Sequence, residues 1–286
     1  MDYALEVEGL RKVYPKFELS NFNLHIPKGS IMGLIGENGA GKSTALKAIL
    51  NLIKRDSGRV SFYGKEFSEN NNEWKEDIGV VFDTMTFQEQ ITAHKLGKVA
   101  EQAYTRWESD MFEGYLSRFS IDPKKKMKEM SRGMQVKLCL AMALSHKPKL
   151  LILDEATSGL DPVIRDEILD IFLEFVQDEE HSVLISSHIT SDLEKIADYI
   201  TFIHKGNVLM SREKDEMMYQ YGIIRCKDAF FQQMDQTDIL ACRKEGYQWD
   251  VLVKDRQKAA LKYKDAVLDT PSLEEIMLIY IKGEQI

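Results

Sequence analysis

Gly36-Glu37-Asn38-Gly39-Ala40-Gly41-Lys42-Ser43-Thr44 combines residue types and a spacing suited to gripping phosphates. Glycines let a backbone fold into a concave nest whose N–H groups converge on an anion, and a helix starting near Lys42 adds its positive end. In this GxxxxGKS pattern Lys42 reaches the β- and γ-phosphates, Ser43 ligates Mg²⁺ and Thr44 adds a hydroxyl near the α-phosphate. The elements that must hold such a loop are present. An apolar run, Ile31-Met32-Gly33-Leu34-Ile35, predicts a buried strand before it, and Ala45, Leu46, Ile49, Leu50 and Ile53 predict a helix after it.

A second chemical stretch is Leu150-Leu151-Ile152-Leu153-Asp154-Glu155. Four apolar residues running into two acids describe a central parallel strand that delivers carboxylates to the ligand edge of a sheet. Asp154 is expected to hold Mg²⁺ and Glu155 to polarise the water that attacks the γ-phosphate. Ser182-Val183-Leu184-Ile185-Ser186-Ser187 is another buried strand, and it ends in His188, whose imbdazole would then stand near the same phosphate. Met130-Ser131-Arg132-Gly133-Met134-Gln135 precedes a helical pattern with Val136, Leu138, Leu140, Ala141 and Leu144. Ser131 is suited to cap that helix, whose exposed N–H groups make a second anion site conceivable.

The remaining pattern supplies the frame. Alternation in residues 4–7 and in Phe22–Ile26 predicts half-buried strands, and Ser57–Gly64 a turn and strand. Glu69-Asn70-Asn71-Asn72-Glu73 reads as a surface loop, and Ile78–Phe82 as a buried strand that stops at Asp83. From about 86 to 119 the periodicity is helical, with Ala93, Leu96, Val99, Ala100, Ala103, Tyr104 and Trp107 on one stripe. Ser158-Gly159-Leu160-Asp161 forms a turn, Pro162 opens a helix, and Tyr199–His204 with Val208–Met210 flank a hairpin turn. Beyond about residue 215 the strand-like Gly222–Cys226 and Trp249–Val253, a helical Ala229–Met234 and a packed helix over 273–281 suggest a small α+β tail.

Composition narrows the function classes. The 286 residues allow one large α/β domain plus an appendage, and no apolar run approaches the roughly 20 residues needed to cross a bilayer. Met1-Asp2-Tyr3-Ala4-Leu5-Glu6 is acidic where a signal peptide would be basic and then apolar, so a cytoplasmic chain is expected. Cys139, Cys226 and Cys242 lack paired or metal-ligand spacing. A net charge of −8 argues against a nucleic-acid partner, and Lys124-Lys125-Lys126 after Pro123 reads as a solvated turn.

In order and spacing, GENGAGKST at 36–44, MSRGMQ at 130–135, LLILDE at 150–155, SGLD at 158–161 and SSH at 186–188 resemble the ATP-binding subunit of an ABC transporter over about residues 1–215. The methionine of Ser-Arg-Gly-Met-Gln and the tail are similar to bacterial exporter ATPases that pair with ABC-2-type membrane subunits. The resemblance implies an α/β P-loop NTPase (RecA-like) core with an antiparallel β subdomain, an inserted helical subdomain over about 84–146, and a C-terminal extension over 216–286. It implies ATP hydrolysis with Mg²⁺ and two ATPase subunits, identical or different, closing head to tail. Ser131 and Gly133 of one would face the γ-phosphate held by Lys42 of the other, within a signature of Ser131, Arg132, Gly133, Met134 and Gln135. Asp161 would pass between subunits and His188 would sense the γ-phosphate. The helical insert, with Phe87 near the contact, would dock on a transmembrane permease at the cytoplasmic face of the membrane. Tyr14 is then expected to stack on the adenine, the alternative being a tyrosine packed at a strand edge.

Two positions depart from that family's usual pattern. Asp83 stands where glutamine is usual and adds a third carboxylate near Asp154 and Glu155. Like charges about 4 Å apart at an effective dielectric near 20 repel by roughly 4 kcal/mol, so Mg²⁺ must screen Asp83 or its pKa must rise. Either Asp83 approaches Mg²⁺, or it faces solvent and a neighbour such as Thr84 takes the coupling role. Arg132 either adds a cation near the partner's phosphates or points to water. A soluble ABC-type ATPase acting on DNA or ribosomes is the rival function; the short insert, single motif set and acidic charge disfavour it. A non-hydrolysing switch is disfavoured by Glu155 and His188.

Overall fold

The computed structural model describes residues 2–66, 73–83 and 87–285. Most of the expected 69–73 loop and Thr84 lie outside the described residues. Strands β1 (Tyr3–Tyr14), β2 (Phe17–Pro27) and β3 (Ile31–Ile35) precede helix α1 (Lys42–Ile49). Next come β4 (Ser57–Phe62), β5 (Lys65–Glu66), β6 (Ile78–Phe82), α2 (Ala93–Ala103), α3 (Ser109–Arg118) and α4 (Arg132–Leu144). They are followed by β7 (Leu150–Asp154), α5 (Pro162–Phe175), β8 (Ser182–Ser187), α6 (Thr190–Ile196), β9 (Tyr199–His204), β10 (Asn207–Glu213) and α7 (Lys214–Gln220). The chain finishes with β11 (Gly222–Cys226), α8 (Asp228–Phe231), β12 (Ile239–Glu245), β13 (Gln248–Val253), α9 (Arg256–Lys262), β14 (Val267–Asp269), α10 (Leu273–Lys282) and β15 (Glu284–Gln285).

The central sheet has the order β10-β9-β3-β8-β7-β6, parallel throughout except for β10. Every residue of β3, β7 and β8 is buried, which is why their centres read as apolar without a polar alternate: both faces are covered. One face carries α1 and the antiparallel sheet β2-β1-β4-β5; the other carries α2 to α6. Register then decides the site. Ile35 lies beside Ser187, Ser186 beside Asp154, and Asp154 beside Phe82, so four strands release their following residues at one edge.

The helical run expected over 86–119 divides into α2 and α3. Tyr104 turns extended (φ −113°, ψ 130°) and stacks on His146 with ring centroids 4.0 Å apart. Trp107 tilts against Phe112 and donates Nε1–H to Ser109 Oγ at 3.2 Å, so the end of the stripe is spent on the corner between helices. Val99 is exposed. His146 is itself 1% exposed, between the Ile78 carbonyl (3.2 Å from Nε2) and the Met142 carbonyl (3.4 Å from Nδ1). Burial lowers its pKa below the ordinary value. The unfolded chain therefore binds this proton more readily, and the stability His146 confers, fully present above about pH 6.5, is lost progressively as pH falls from there toward the lowered folded value. Chemical denaturation at pH 7.5 and 5.5 should show His146→Gln losing less stability on acidification than the parent; equal losses would remove His146 from the pH response.

The tail is a five-stranded antiparallel sheet, β14-β11-β13-β12-β15. The expected Ala229–Met234 helix is confined to α8, while β12, β14, β15 and α9 were not legible. β12 runs Ile-Leu-Ala-Cys into Arg-Lys-Glu, so half of it carries no apolar alternation. α10 buries Leu273, Ile276 and Ile279 in the core that also holds Leu193 and Ile196 of α6. Its start is a capping box: Ser272 Oγ accepts from Glu275 N at 3.2 Å, and Glu275 Oε2 accepts from Ser272 N at 2.9 Å. Ser272→Ala should cost about 1 kcal/mol and lower Tm by about 2–4 °C in calorimetry; an unchanged Tm would show that the cap contributes nothing.

Candidate nucleotide-binding site

Gly36 to Gly41 form the turn between β3 and α1. Gly39 and Gly41 hold φ values of 83° and 112°, which side-chain-bearing residues rarely adopt. A Cβ on Gly36 would meet the Ile203 carbonyl oxygen at 2.4 Å, and one on Gly41 would meet the Phe17 ring at 2.7 Å. The loop is therefore packed against β9 on one side and the β1–β2 hairpin on the other. It borders a cleft of about 290 Å³ lined by Glu37, Asn38, Gly39, Gly41, Lys42, Ser43, Thr44, Phe17, Asp83 and Glu155. Ala40 is buried beneath it.

Lys42 is 5% exposed and its ammonium donates to the carbonyls of Gly36 (2.6 Å) and Glu37 (3.3 Å). Its third neighbour is Glu155 Oε1 at 3.1 Å. Two donors thus meet carbonyl oxygens and the carboxylate stands within ion-pair range, contacts that phosphate oxygens can replace in kind. Glu155 follows β7 at φ 52°, a strained position for a non-glycine residue, where its N–H meets the Ser186 carbonyl (3.1 Å) and Oγ (3.2 Å). Its Oε2 lies 2.6 Å from His188 Nδ1, while Oε1 is buried with no aligned hydrogen-bond donor. Lys42 at the start of α1, Glu155 after β7 and His188 after β8 therefore form one continuous polar chain.

Asp154 is buried and accepts from Ser186 Oγ at 2.6 Å through Oδ1, leaving its other oxygen. Ser43 and Asp154 offer oxygen atoms alone, the donor type that Mg²⁺ requires. Among the described residues no group of three or more His, Cys, Asp or Glu side chains could hold a metal by itself. A metal here would share its shell with phosphate oxygens, as Mg²⁺ commonly does.

Asp83 has a cationic partner that the sequence reading did not contain. Asp83 neither lacks a counter-ion nor faces solvent alone; it lines the cleft and pairs with Arg132. Arg132, itself nearly half exposed, is thus engaged by its own chain. The two positions are 49 apart in the sequence, which hid this pair.

Ser131 caps α4, its Oγ accepting from Met134 N at 3.3 Å, and Gly133 is buried where a Cβ would strike Ile164 at 2.9 Å. Gln135 donates to the carbonyls of Met127 and Met130, at 3.2 and 3.3 Å. This turn is absent from the cleft lining; only Arg132 reaches toward it, through Asp83. Asp161 is an exposed cap of α5, its Oδ1 accepting from Ile164 N at 3.1 Å. Phe87 packs half-buried on the main core. Tyr14 ends β1, 41% exposed, with Lys12 Nζ 5.4 Å from its ring. The aromatic lining the cleft is its cross-strand partner Phe17, which the sequence reading missed. The signal available was the two-residue hairpin, Pro15-Lys16, that sets Tyr14 and Phe17 opposite each other.

A family model described as ABC transporter matches residues 19–158. The lantibiotic transport ATP-binding protein SrtF of Streptococcus pyogenes is 37% identical over 214 residues, covering 74% of this chain and 91% of that protein. The bacitracin transport ATP-binding protein BcrA of Enterococcus faecalis is 34% identical over 212 residues, covering 73% and 69%. Among solved structures, an ATP-binding subunit of an ABC transporter superposes with TM-score 0.66 at 25% identity, covering 75% of this chain and 91% of that one. CbiO1 from Clostridium perfringens, part of the transporter complex cbiONQ, gives TM-score 0.63 at 26% identity, covering 76% and 90%.

Proposed function

The chain belongs to the ABC transporter ATP-binding proteins and is an ATPase, and from that premise we propose that it drives a separate membrane-embedded exporter through head-to-tail closure of two such subunits on ATP. The observation that carries this reading is the contiguity of Lys42, Glu155 and His188, at 3.1 and 2.6 Å, beside a glycine-built anion cradle. Lys42 exchanges its carbonyl and carboxylate partners for β- and γ-phosphate oxygens. Glu155, held in place by His188, accepts the proton of the attacking water through Oε1, the oxygen that Lys42 leaves when it turns to the phosphates. His188 stabilises the γ-phosphate. Ser43 and Asp154 hold Mg²⁺, which when bound supplies neutralisation of phosphate charge. Phe17 offers a ring to the base, with Tyr14 opposite it at the hairpin end.

Residues 1–215 form the ATPase unit with its helical subdomain at about 84–146, and residues 216–286 the extension. The exposed Ser131 cap, away from the cleft of its own chain, serves the partner's nucleotide, and Asp161 lies in the same contact. Phe87 and its neighbours face the permease, at the cytoplasmic side of the membrane. No helix among the described residues is long and apolar enough to cross a bilayer, so the translocation path belongs to the permease. SrtF and BcrA are named for transport of a lantibiotic and of bacitracin; the cargo here is selected by the permease.

Two experiments test the proposal. His188→Ala should slow single-turnover phosphate release by about 10²-fold, the effect of removing one transition-state donor; an unchanged rate would remove His188 from the reaction. Affinity purification of the tagged chain from detergent-solubilised membranes of its native host should recover a polytopic membrane protein. Recovery with ribosomes or DNA instead would favour the soluble alternative.

A further inference from the structure

The cleft is lined by three carboxylates, Glu37, Asp83 and Glu155, and by one ammonium, Lys42, although its ligand is a polyanion. Glu155 is answered by Lys42 and His188, and Glu37 has His204 Nδ1 at 3.6 Å. Asp83 is answered from another element, by Arg132 at the start of α4. That guanidinium is fixed at two further points. Its Nε donates to the Ser158 carbonyl at 2.9 Å, and its stem lies over Gly159, where a Cβ would stand 3.4 Å from Nε and 3.7 Å from Cδ. Gly159 has φ +71° and no side chain, so the turn after Glu155 leaves a floor for the arginine. Three elements meet on one side chain: the end of β6, the turn after β7 and the cap of α4.

We propose that Arg132 is a positioning residue that keeps Asp83 neutralised at the rim of its own chain's nucleotide cleft and thereby ties the Ser131 turn to that cleft. The inference rests on the nucleotide reading of the cleft. An arginine suits the task because its planar fork serves Asp83 and the Ser158 carbonyl at once, which a lysine ammonium does less well. Without it, Asp83 presents an unanswered negative charge to the phosphates. The penalty is largest for ATP without metal, because Mg²⁺ removes much of the nucleotide's charge. Both side chains are nearly half exposed, so screening limits the effect to about tenfold in affinity at low salt, about 1.4 kcal/mol.

The test is a double-mutant cycle on the full chain, reading the affinity for mant-ATP by fluorescence in EDTA and again with Mg²⁺. Arg132→Ala should weaken binding about tenfold in EDTA and much less with Mg²⁺, whereas Arg132→Lys should stay within about threefold of the parent. In the Asp83→Asn background Arg132→Ala should change nothing, because the charge it answers is gone. Equal losses from Arg132→Ala in both backgrounds, or a loss in Arg132→Lys as large as in Arg132→Ala, would overturn the proposal. Failure of the parent chain to bind mant-ATP under either condition would overturn the nucleotide reading instead.

Discussion

Glu155→Gln should reduce the rate of phosphate release by about 10²- to 10⁴-fold while leaving ATP affinity near that of the parent. The substitution keeps the shape of the side chain and the loop that binds phosphate. It removes the one property at issue, the capacity of Oε1 to take a proton. In the structure that oxygen is buried, with Lys42 Nζ 3.1 Å away but no aligned donor, while Oε2 is fixed 2.6 Å from His188. A carboxylate so placed has one oxygen for orientation and one for chemistry. The strained backbone at Glu155, φ 52°, is held by the two contacts of its N–H to Ser186, so the substitution need not disturb it. Phosphate release at the parental rate would show that another group takes the proton.

Lys42→Ala should weaken ATP binding by about ten- to a hundredfold, the loss of charge-assisted hydrogen bonds worth roughly 1.5–3 kcal/mol. Two consequences must be separated, because Lys42 also faces Glu155 across 3.1 Å. Removing it leaves a carboxylate that is mostly buried with His188 as its remaining partner. Glu155→Gln breaks the same ion pair yet keeps the ammonium, and so serves as the control. If the lysine acts on phosphate, affinity measured by mant-ATP titration falls in Lys42→Ala and holds in Glu155→Gln. Equal affinity in Lys42→Ala and the parent would detach the lysine from the nucleotide.

What could be read from the sequence was what is local. The glycine loop, the apolar strand ending in Asp154 and Glu155, and the serine cap at 131 are each contained within ten residues, and strand burial on both faces leaves an unmistakable apolar run. The edge on which they meet follows from parallel register, which single strands do not reveal. Arg132 and Asp83 were both noticed as unusual, but their pairing depends on β6 and α4 being brought together by the fold. Phe17 lines the cleft and Tyr14, its direct cross-strand partner, does not, because the strand that packs its ring on Gly41 of the loop is β2, an approach no single strand reveals. In the tail, short strands such as β14 and β15 are defined by their partners and carry too few residues for a period.

On the proposed function, taken for two copies of this chain, the cleft is half of a composite site completed by the Ser131 turn of the second copy. The most direct measurement is the solution mass of the Glu155→Gln chain by light scattering, with and without ATP, alongside Glu155→Gln/Ser131→Arg. The account predicts a monomer without ATP, a dimer with ATP, and a monomer with ATP bound when Ser131 is replaced. A Glu155→Gln chain that binds ATP and remains a monomer at every nucleotide concentration would contradict it.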